Sequence, residues 1–302
     1  MKIETLVAFT TAVELGSIHA AAKRLGVTQP TLSKNVKQLE RELGSELLHR
    51  GATGIKPTQA GKLLHQRANI MIHEWRRLNQ DLGEMDGALR GRVNVNLAPA
   101  AVTCVGPVAI DAFQRAHPQV AVVLSELLPP QVFEVLRDGS LDVAITPVTQ
   151  ELSRQDFAVH RLMSVDMCVL ARRAHPLAGC DDLAGLVDAR WVRLGSEHGQ
   201  SVFLDRAFRE AGLPSPRPMV TCQTATGALS LLRRGDYLAM MPRHVCNDLI
   251  RDDSLVELSL RSPLPVNNIS LIHSALRPPT RAAQALIEQL RLTAQHEMQG
   301  KG

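Results

Sequence analysis

The chain has 302 residues, 45% of them apolar and 21% charged, which leaves room for a sizeable core and for more than one domain. No run approaches the roughly 18 apolar residues of a membrane span, and residues 1–11 read as amphipathic helix rather than signal peptide, so a cytoplasmic protein without a membrane partner is expected. The net charge of +4 is unevenly placed: residues 1–90 hold 13 Lys or Arg against 9 Asp or Glu, residues 91–302 hold 21 of each, and every lysine except Lys301 lies at or before Lys62.

A basic N-terminal third suits contact with phosphates, although a solvated basic face has the same composition. Ile3, Leu6, Val7, Thr10 and Val13 recur at helical spacing, Gly16 ends that helix, and Ser17 caps a second one over residues 18–25. Gly26 makes the turn, and Ala20, Ala21 and Ala22 are small enough for two helices to cross closely, as a helix-turn-helix requires. Thr28 N-caps the third helix, where Pro30 is tolerated because the amide it lacks has no intrahelical partner in the first turn. At about 100° per residue, Leu32, Val36, Leu39 and Leu43 fall in about a 60° sector and are expected to be buried, while Pro30, Lys34, Lys37 and Arg41 face away. A buried stripe opposite a cationic, small-residue face is what a recognition helix needs in the major groove of DNA. Residues 47–58 have short apolar ends around a glycine-containing tip, the pattern of a β-hairpin wing that offers Arg50 and Lys56 to the DNA backbone or minor groove.

These residues carry a family resemblance. Phe9, Ala21-Ala22-Lys23-Arg24-Leu25, Thr28-Gln29-Pro30-Thr31-Leu32-Ser33, Leu39-Glu40, Leu43-Gly44, Leu47-Leu48, Arg50 and Thr58-Gln59-Ala60-Gly61 together resemble the DNA-binding domain of LysR-type transcriptional regulators. Two positions depart from the pattern, since the family usually has phenylalanine where Leu48 stands and a basic residue where Thr53 stands. The resemblance implies a winged helix-turn-helix that meets double-stranded operator DNA through Ser17, Thr28, Gln29, Pro30, Thr31, Ser33, Lys34, Lys37, Arg50 and Lys56. Among these the lysines suit phosphate, which they reach as point charges, so sequence choice falls to Gln29, Thr31, Ser33 and DNA shape.

From Thr58 onward the period changes. Leu64, Met71, Leu78 and Met85 repeat every seven residues, with Ala68, Trp75, Leu82 and Leu89 repeating between them, which predicts a helical seam that pairs two protomers. A single long helix packed on its own domain is the alternative. Gly83, Gly87 and Gly91 lower helix propensity near the end and suggest a hinge. Similar linker helices pair protomers in the family.

Beyond about Arg92, strand patterns at residues 93–97, 120–127, 141–146, 157–172, 191–194, 218–222, 238–241 and 267–273 alternate with helical ones at 105–117, 131–138, 202–212, 224–234 and 280–295. That alternation predicts an α/β architecture with largely parallel sheets in two lobes. The resemblance implies a fold like a periplasmic solute-binding protein, with an effector in the cleft and the second lobe inserted into the first. Residues 136–145, Leu-Arg-Asp-Gly-Ser-Leu-Asp-Val-Ala-Ile, match the family's helix-to-strand turn, and residues 231–242 match its helix-glycine-strand-proline segment. Within the latter, Asp236 stands where many members have a small or apolar residue, a variation associated with sugar- or sugar-acid-responsive relatives. The expected division is therefore residues 1–58 for DNA binding, 59–90 for the linker helix and 91–302 for effector binding. Lobe I is expected at about 91–161 and 267–302, and lobe II at about 162–266.

In such sheets a ligand sits beyond the carboxyl ends of the strands, near helix starts. That rule selects Ala98, Pro99, Ala100, Thr103, Thr146 and Pro147 in the first lobe and Ser196, Gln200, Ser201, Gln223 and Thr224 in the second. Each hydroxyl there also reads as a helix cap, and the two roles can coexist. His198 is the titratable group of that neighbourhood, either a solvated loop histidine or a ligand contact.

The five cysteines (Cys104, Cys168, Cys180, Cys222 and Cys246) show no CxxC and no metal spacing, which points to buried thiols in a reduced compartment and leaves open a redox pair between positions close in space. The sequence holds no GxSxG, GxGxxG, Walker loop or HExxH, so no enzyme activity, cofactor or metal is expected, although an enzyme or a transport-type binding protein with an accessory N-terminal module is the rival class. The expected function is a LysR-type regulator. The resemblance further implies a small-molecule effector of organic-acid or sugar-like chemistry, RNA polymerase as a partner, and a homodimer or homotetramer.

Overall fold

The computed structural model describes residues 2–51, 54–83, 89–148, 151–195, 202–252 and 254–299. The chain divides into two compact units, Met1–Gly87 with Asp138–Ser140, and Ala88–Arg137 with Leu141–Gly302.

The first unit opens with α1 (Ile3–Leu15), α2 (Ile18–Leu25) and α3 (Gln29–Leu43). Each ends at a glycine in the left-handed region, Gly16, Gly26 and Gly44 with φ of 62°, 66° and 64°, a conformation that costs a side-chain-bearing residue strain. Phe9, Ala12, Ala21, Leu32, Val36 and Leu39 are fully buried where the three helices meet, and the two alanines permit the close approach. Leu43 departs from the expected stripe: it is 45% exposed, because it is the last helical residue before the Gly44 cap and the core ends one turn earlier. The chain then forms the antiparallel hairpin β1 (Leu48–Gly51) and β2 (Gly54–Pro57), followed by α4 (Gln59–Gly83). The start of α4 requires glycine at position 61, since a Cβ there would lie 2.0 Å from the Leu47 carbonyl oxygen.

The second unit runs β3 (Gly91–Leu97), α5 (Pro99–Thr103), α6 (Gly106–Ala116), β4 (Val120–Ser125), α7 (Gln131–Asp138), β5 (Val143–Pro147), β6 (Phe157–Val165) and β7 (Met167–Arg172). It continues with β8 (Trp191–Leu194), α8 (Val202–Glu210), β9 (Pro218–Cys222), α9 (Ala225–Arg234), β10 (Leu238–Pro242), α10 (Arg243–Arg251), β11 (Leu255–Glu257), β12 (Asn267–Ser274) and α11 (Arg281–Gln299). One sheet has the order β4-β3-β5-β12-β6 and the other β11-β7-β10-β8-β9. The expectation of largely parallel sheets is corrected: β4-β3-β5 and β9-β8-β10 are parallel, while β12 and β6 in one sheet, and β7 and β11 in the other, join by antiparallel pairings. The single strand expected over residues 157–172 is likewise two strands in different sheets, broken at Asp166. β12 returns the chain to the first sheet between β5 and β6, so the first lobe is completed by a strand from the far side of the crossover.

The first sheet packs Val93, Val95, Leu97 and Ile145 against Phe113 of α6 and Leu286 and Leu290 of α11, and its other face against Phe133 and Leu136 of α7. The second sheet sets Trp191 edge-on to Phe208 of α8, ring centroids 5.7 Å apart, and packs its other face on α9 and α10. Helix α10 and strand β11 lie outside the expected elements, although α10 sets Val245, Cys246, Leu249 and Ile250 at helical spacing on the face that packs on the second sheet. In α10 only Cys246 is fully buried.

Candidate DNA-binding face and effector cleft

The geometry of the first unit is set by caps. Ser17 Oγ accepts from the Ala20 amide at 3.2 Å, and Thr28 Oγ1 accepts from the Thr31 amide at 3.3 Å, so the hydroxyls of Ser17 and Thr28 start α2 and α3. The Thr28 and Thr31 hydroxyls also meet at 2.8 Å. Gln29, Pro30, Thr31, Lys34 and Lys37 are exposed, Ser33 is half-buried, and Leu32, Val36 and Leu39 hold the opposite side of α3 in the core. Arg41 is exposed but its Nε donates to the Lys37 carbonyl at 3.2 Å, which draws it back along its own helix. Glu40, one turn earlier than the Gly44 cap, turns toward the hairpin: its Oε1 accepts from the amides of Leu47 at 3.0 Å and Leu48 at 3.3 Å.

In the hairpin His49 stands opposite Lys56 and Arg50 opposite Ile55. Directly paired residues share a face and successive residues alternate, so Arg50 and Lys56, both exposed, lie on opposite faces of the wing. Leu48, at the position where the family usually has phenylalanine, is buried in the core. The tip is tied to the α1–α2 turn by the Ile55 amide, which donates to the Gly16 carbonyl at 3.0 Å. Ala52 and Thr53 lie outside the described residues.

The expected seam on α4 divides. Leu64 is half-buried and Ala68 fully buried against the first unit's own core, beside Ile72, which the heptad pattern does not select. Met71, Trp75, Leu78 and Leu82 are 48%, 49%, 49% and 56% exposed. The alternative of a helix packed on its own domain therefore holds for the first turns and not for the rest. Met85 lies outside the described residues.

In the second unit, Leu97 pairs with Ile145, so Ala98, Pro99 and Ala100 after β3 lie beside Thr146 and Pro147 at the end of β5. Ala98, Pro99 and Ala100 are buried. Thr146 is fully buried with its Oγ1 unpartnered among the described residues, and Ser270 stands opposite it on β12. Thr103 ends α5, and its hydroxyl donates back to the carbonyls of Pro99 and Ala100, each at 3.3 Å. In the other lobe Gln223 and Thr224 follow β9, and the exposed Thr224 caps α9 by accepting from the Gly227 amide at 3.2 Å. Ser196, His198, Gln200 and Ser201 lie outside the described residues. The two lobes meet where α5 packs against α10.

Sequence patterns do not single out Asn96, an amide fully buried in β3. Its Oδ1 accepts from the Leu127 amide at 2.6 Å and from Ser125 Oγ at 3.2 Å, and its Nδ2 donates to the Leu127 carbonyl at 3.1 Å. The Val93-Asn94-Val95-Asn96 alternation does not tell buried Asn96 from the partly exposed Asn94, and a buried amide demands this full set of partners. Asp236 accepts from Arg172 Nε and Nη2 at 2.9 and 2.6 Å. All five cysteines are free thiols; contact with the Cys246 thiol and burial push the Cys168 thiol far above its ordinary range, which keeps it protonated.

Residues 3–62 match the model of the bacterial regulatory helix-turn-helix proteins of the lysR family, and residues 86–295 match that of the LysR substrate binding domain. The chain belongs to the LysR family. It is 33% identical to the HTH-type transcriptional regulator GalR of Pseudomonas putida over 286 residues, 94% of this chain and 72% of that one. It is 25% identical to the HTH-type transcriptional regulator TdcA of Escherichia coli over 287 residues, 95% of this chain and 91% of that one. The fold matches the crystal structure of CbnR, a LysR family transcriptional regulator, with a TM-score of 0.72 at 23% identity over 97% of this chain and 99% of that chain. This LysR-type protein is thus a DNA-binding transcriptional regulator with an effector-binding C-terminal domain, and its relatives are transcriptional regulators. Regulators of the family bind operator DNA and small-molecule effectors. Among the described residues no helix is long and apolar enough to cross a membrane, and no cluster of His, Cys, Asp and Glu could hold a metal ion.

Proposed function

We propose that two copies of this regulator pair through α4 and read a dyad-symmetric operator with the α3 helix and wing of each copy, under control of a small molecule held between the lobes of the C-terminal domain. The observation that carries the DNA reading is the face of α3, where exposed Lys34 and Lys37 stand opposite buried Leu32, Val36 and Leu39. Those lysines and Arg50 hold phosphates, Gln29, Thr31 and Ser33 reach base edges, and Lys56 meets the backbone from the other face of the wing. The division into residues 1–58, 59–90 and 91–302 belongs to the same reading.

The effector lies against Ala98, Pro99, Ala100, Thr146 and Pro147 of one lobe and Gln223 and Thr224 of the other, with Ser196, Gln200 and Ser201 as further candidates. An organic acid or sugar-like molecule fits, because the buried Thr146 hydroxyl both donates and accepts. Closure of the lobes shifts an existing equilibrium between placements of the DNA-binding modules, altering DNA bending and recruitment of RNA polymerase without any catalytic step. The assembly is a cytoplasmic homodimer or homotetramer.

A salt-titrated binding assay on a labelled DNA duplex tests the α3 assignment. Lys37→Ala weakens binding and lowers the slope of log affinity against log salt by about one for each phosphate no longer neutralised, with oligomeric mass unchanged. Unaltered affinity and slope would refute the role of Lys37.

A further inference from the structure

The Glu40 carboxylate leaves α3 to bind backbone outside its own helix. A single oxygen, Oε1, takes both the Leu47 and the Leu48 amides, at 3.0 and 3.3 Å. Those amides begin the wing, three and two residues before Arg50. The far end of the hairpin is fixed elsewhere: the Ile55 amide donates to the Gly16 carbonyl at 3.0 Å, and a Cβ at Gly54 would lie 2.5 Å from that same oxygen. At its exit Thr58 closes the strand pair, its amide donating to the Leu47 carbonyl at 2.9 Å and its hydroxyl to the Glu46 carbonyl at 2.7 Å. Of these ties, only the Glu40 pair runs directly from the recognition helix to the wing.

We propose that Glu40 is a positioning residue for DNA binding: without touching DNA, it locks the start of the wing to α3, so that Lys34, Lys37 and Arg50 engage one duplex as a single rigid surface. This rests on the reading of Arg50 as a phosphate ligand. Glu40 is half-buried on the flank of the Leu32, Val36 and Leu39 stripe, and its carboxylate is accounted for there by the two amides that Oε1 holds rather than by any attraction to phosphate, which would repel it. Backbone amides bonded to an ionised acceptor are held more firmly than by a neutral one, yet geometry and not charge is what the wing needs.

Three substitutions separate geometry from charge. Because both amides converge on one oxygen, Glu40→Gln keeps the acceptor and drops the charge. Glu40→Asp keeps the charge but is one methylene short, and Glu40→Ala removes both. Binding of the full-length variants to a labelled mixed-sequence duplex is measured against salt, with circular dichroism confirming folded protein at the assay temperature.

Glu40→Gln should bind at least as tightly as the native chain. Glu40→Asp and Glu40→Ala should bind about tenfold more weakly at ~0.1 M salt and lose about one unit of salt slope for each wing released. Adding Arg50→Ala to Glu40→Asp should cost little more, since the displaced wing no longer holds its phosphate. Equal tightening by all three single variants would show Glu40 to act by charge alone and overturn the proposal. So would native binding by folded Glu40→Asp, or fully additive losses with Arg50→Ala. If Arg50→Ala alone changes neither affinity nor slope, the phosphate assignment of Arg50 fails and the proposal with it, whereas weakened binding by Arg50→Ala beside native binding by folded Glu40→Asp overturns only the positioning role of Glu40.

Discussion

Two threonines expected in the effector cleft have opposite circumstances. The Thr103 hydroxyl is satisfied by its own helix, whereas Thr146 Oγ1 is buried at the end of β5 with no partner among the described residues. An unmet buried hydroxyl costs about 1–3 kcal/mol, so Thr146→Val, which keeps the shape, should leave the unliganded protein unchanged or more stable by about 1 kcal/mol. The same substitution should diminish the effector response. Thermal melting and a reporter assay check both halves; a clear loss of unliganded stability, or full induction, would count against the assignment. Sequence alone selects both residues, because both follow strand ends, but it cannot say which hydroxyl a neighbouring carbonyl has already taken. For the same reason Glu40 stands in the family motif with no visible role: its partners are backbone amides, which have no side-chain signature.

At the scale of elements, α4 shows what a heptad can and cannot specify. The repeat marks a helix with an apolar stripe, yet the first positions, Leu64 and Ala68, are consumed by the domain that the helix leaves. The stripe that needs a partner starts at Met71 and runs through Trp75, Leu78 and Leu82. Covering the half of each side chain still exposed contributes roughly 1 kcal/mol apiece, which two paired helices double. Met71→Asp with Leu78→Asp should therefore halve the mass of the helix-paired species in light scattering while the first unit stays folded, and an unchanged mass would remove the seam. Strand boundaries within the second unit follow from alternation and turn residues and agree closely with the structure at residues 191–194 and 218–222. The run over 157–172 fails differently. Alternation continues through Asp166, and nothing local reports that the chain there leaves one sheet for another. The antiparallel partners of β12 and β7 are equally non-local, so mixed sheets are invisible to a pattern that registers only strand-helix order.

For the whole molecule, the basic N-terminal third and the charge-balanced remainder divide the work between phosphate and effector. Regulation requires only that the effector prefer one arrangement of the modules, since a ligand shifts an equilibrium by its differential affinity and no more. The reading of a dyad-symmetric operator depends on a paired head built from two copies of α3 and the wing. Selection of genomic fragments by the purified full-length protein, followed by hydroxyl-radical footprinting, decides whether that pair exists on DNA. A paired head selects fragments with dyad symmetry and protects two half-sites on one face of the duplex, and both are lost together when the α4 stripe carries Met71→Asp and Leu78→Asp. A single asymmetric protected site that survives those substitutions would rule the pair out.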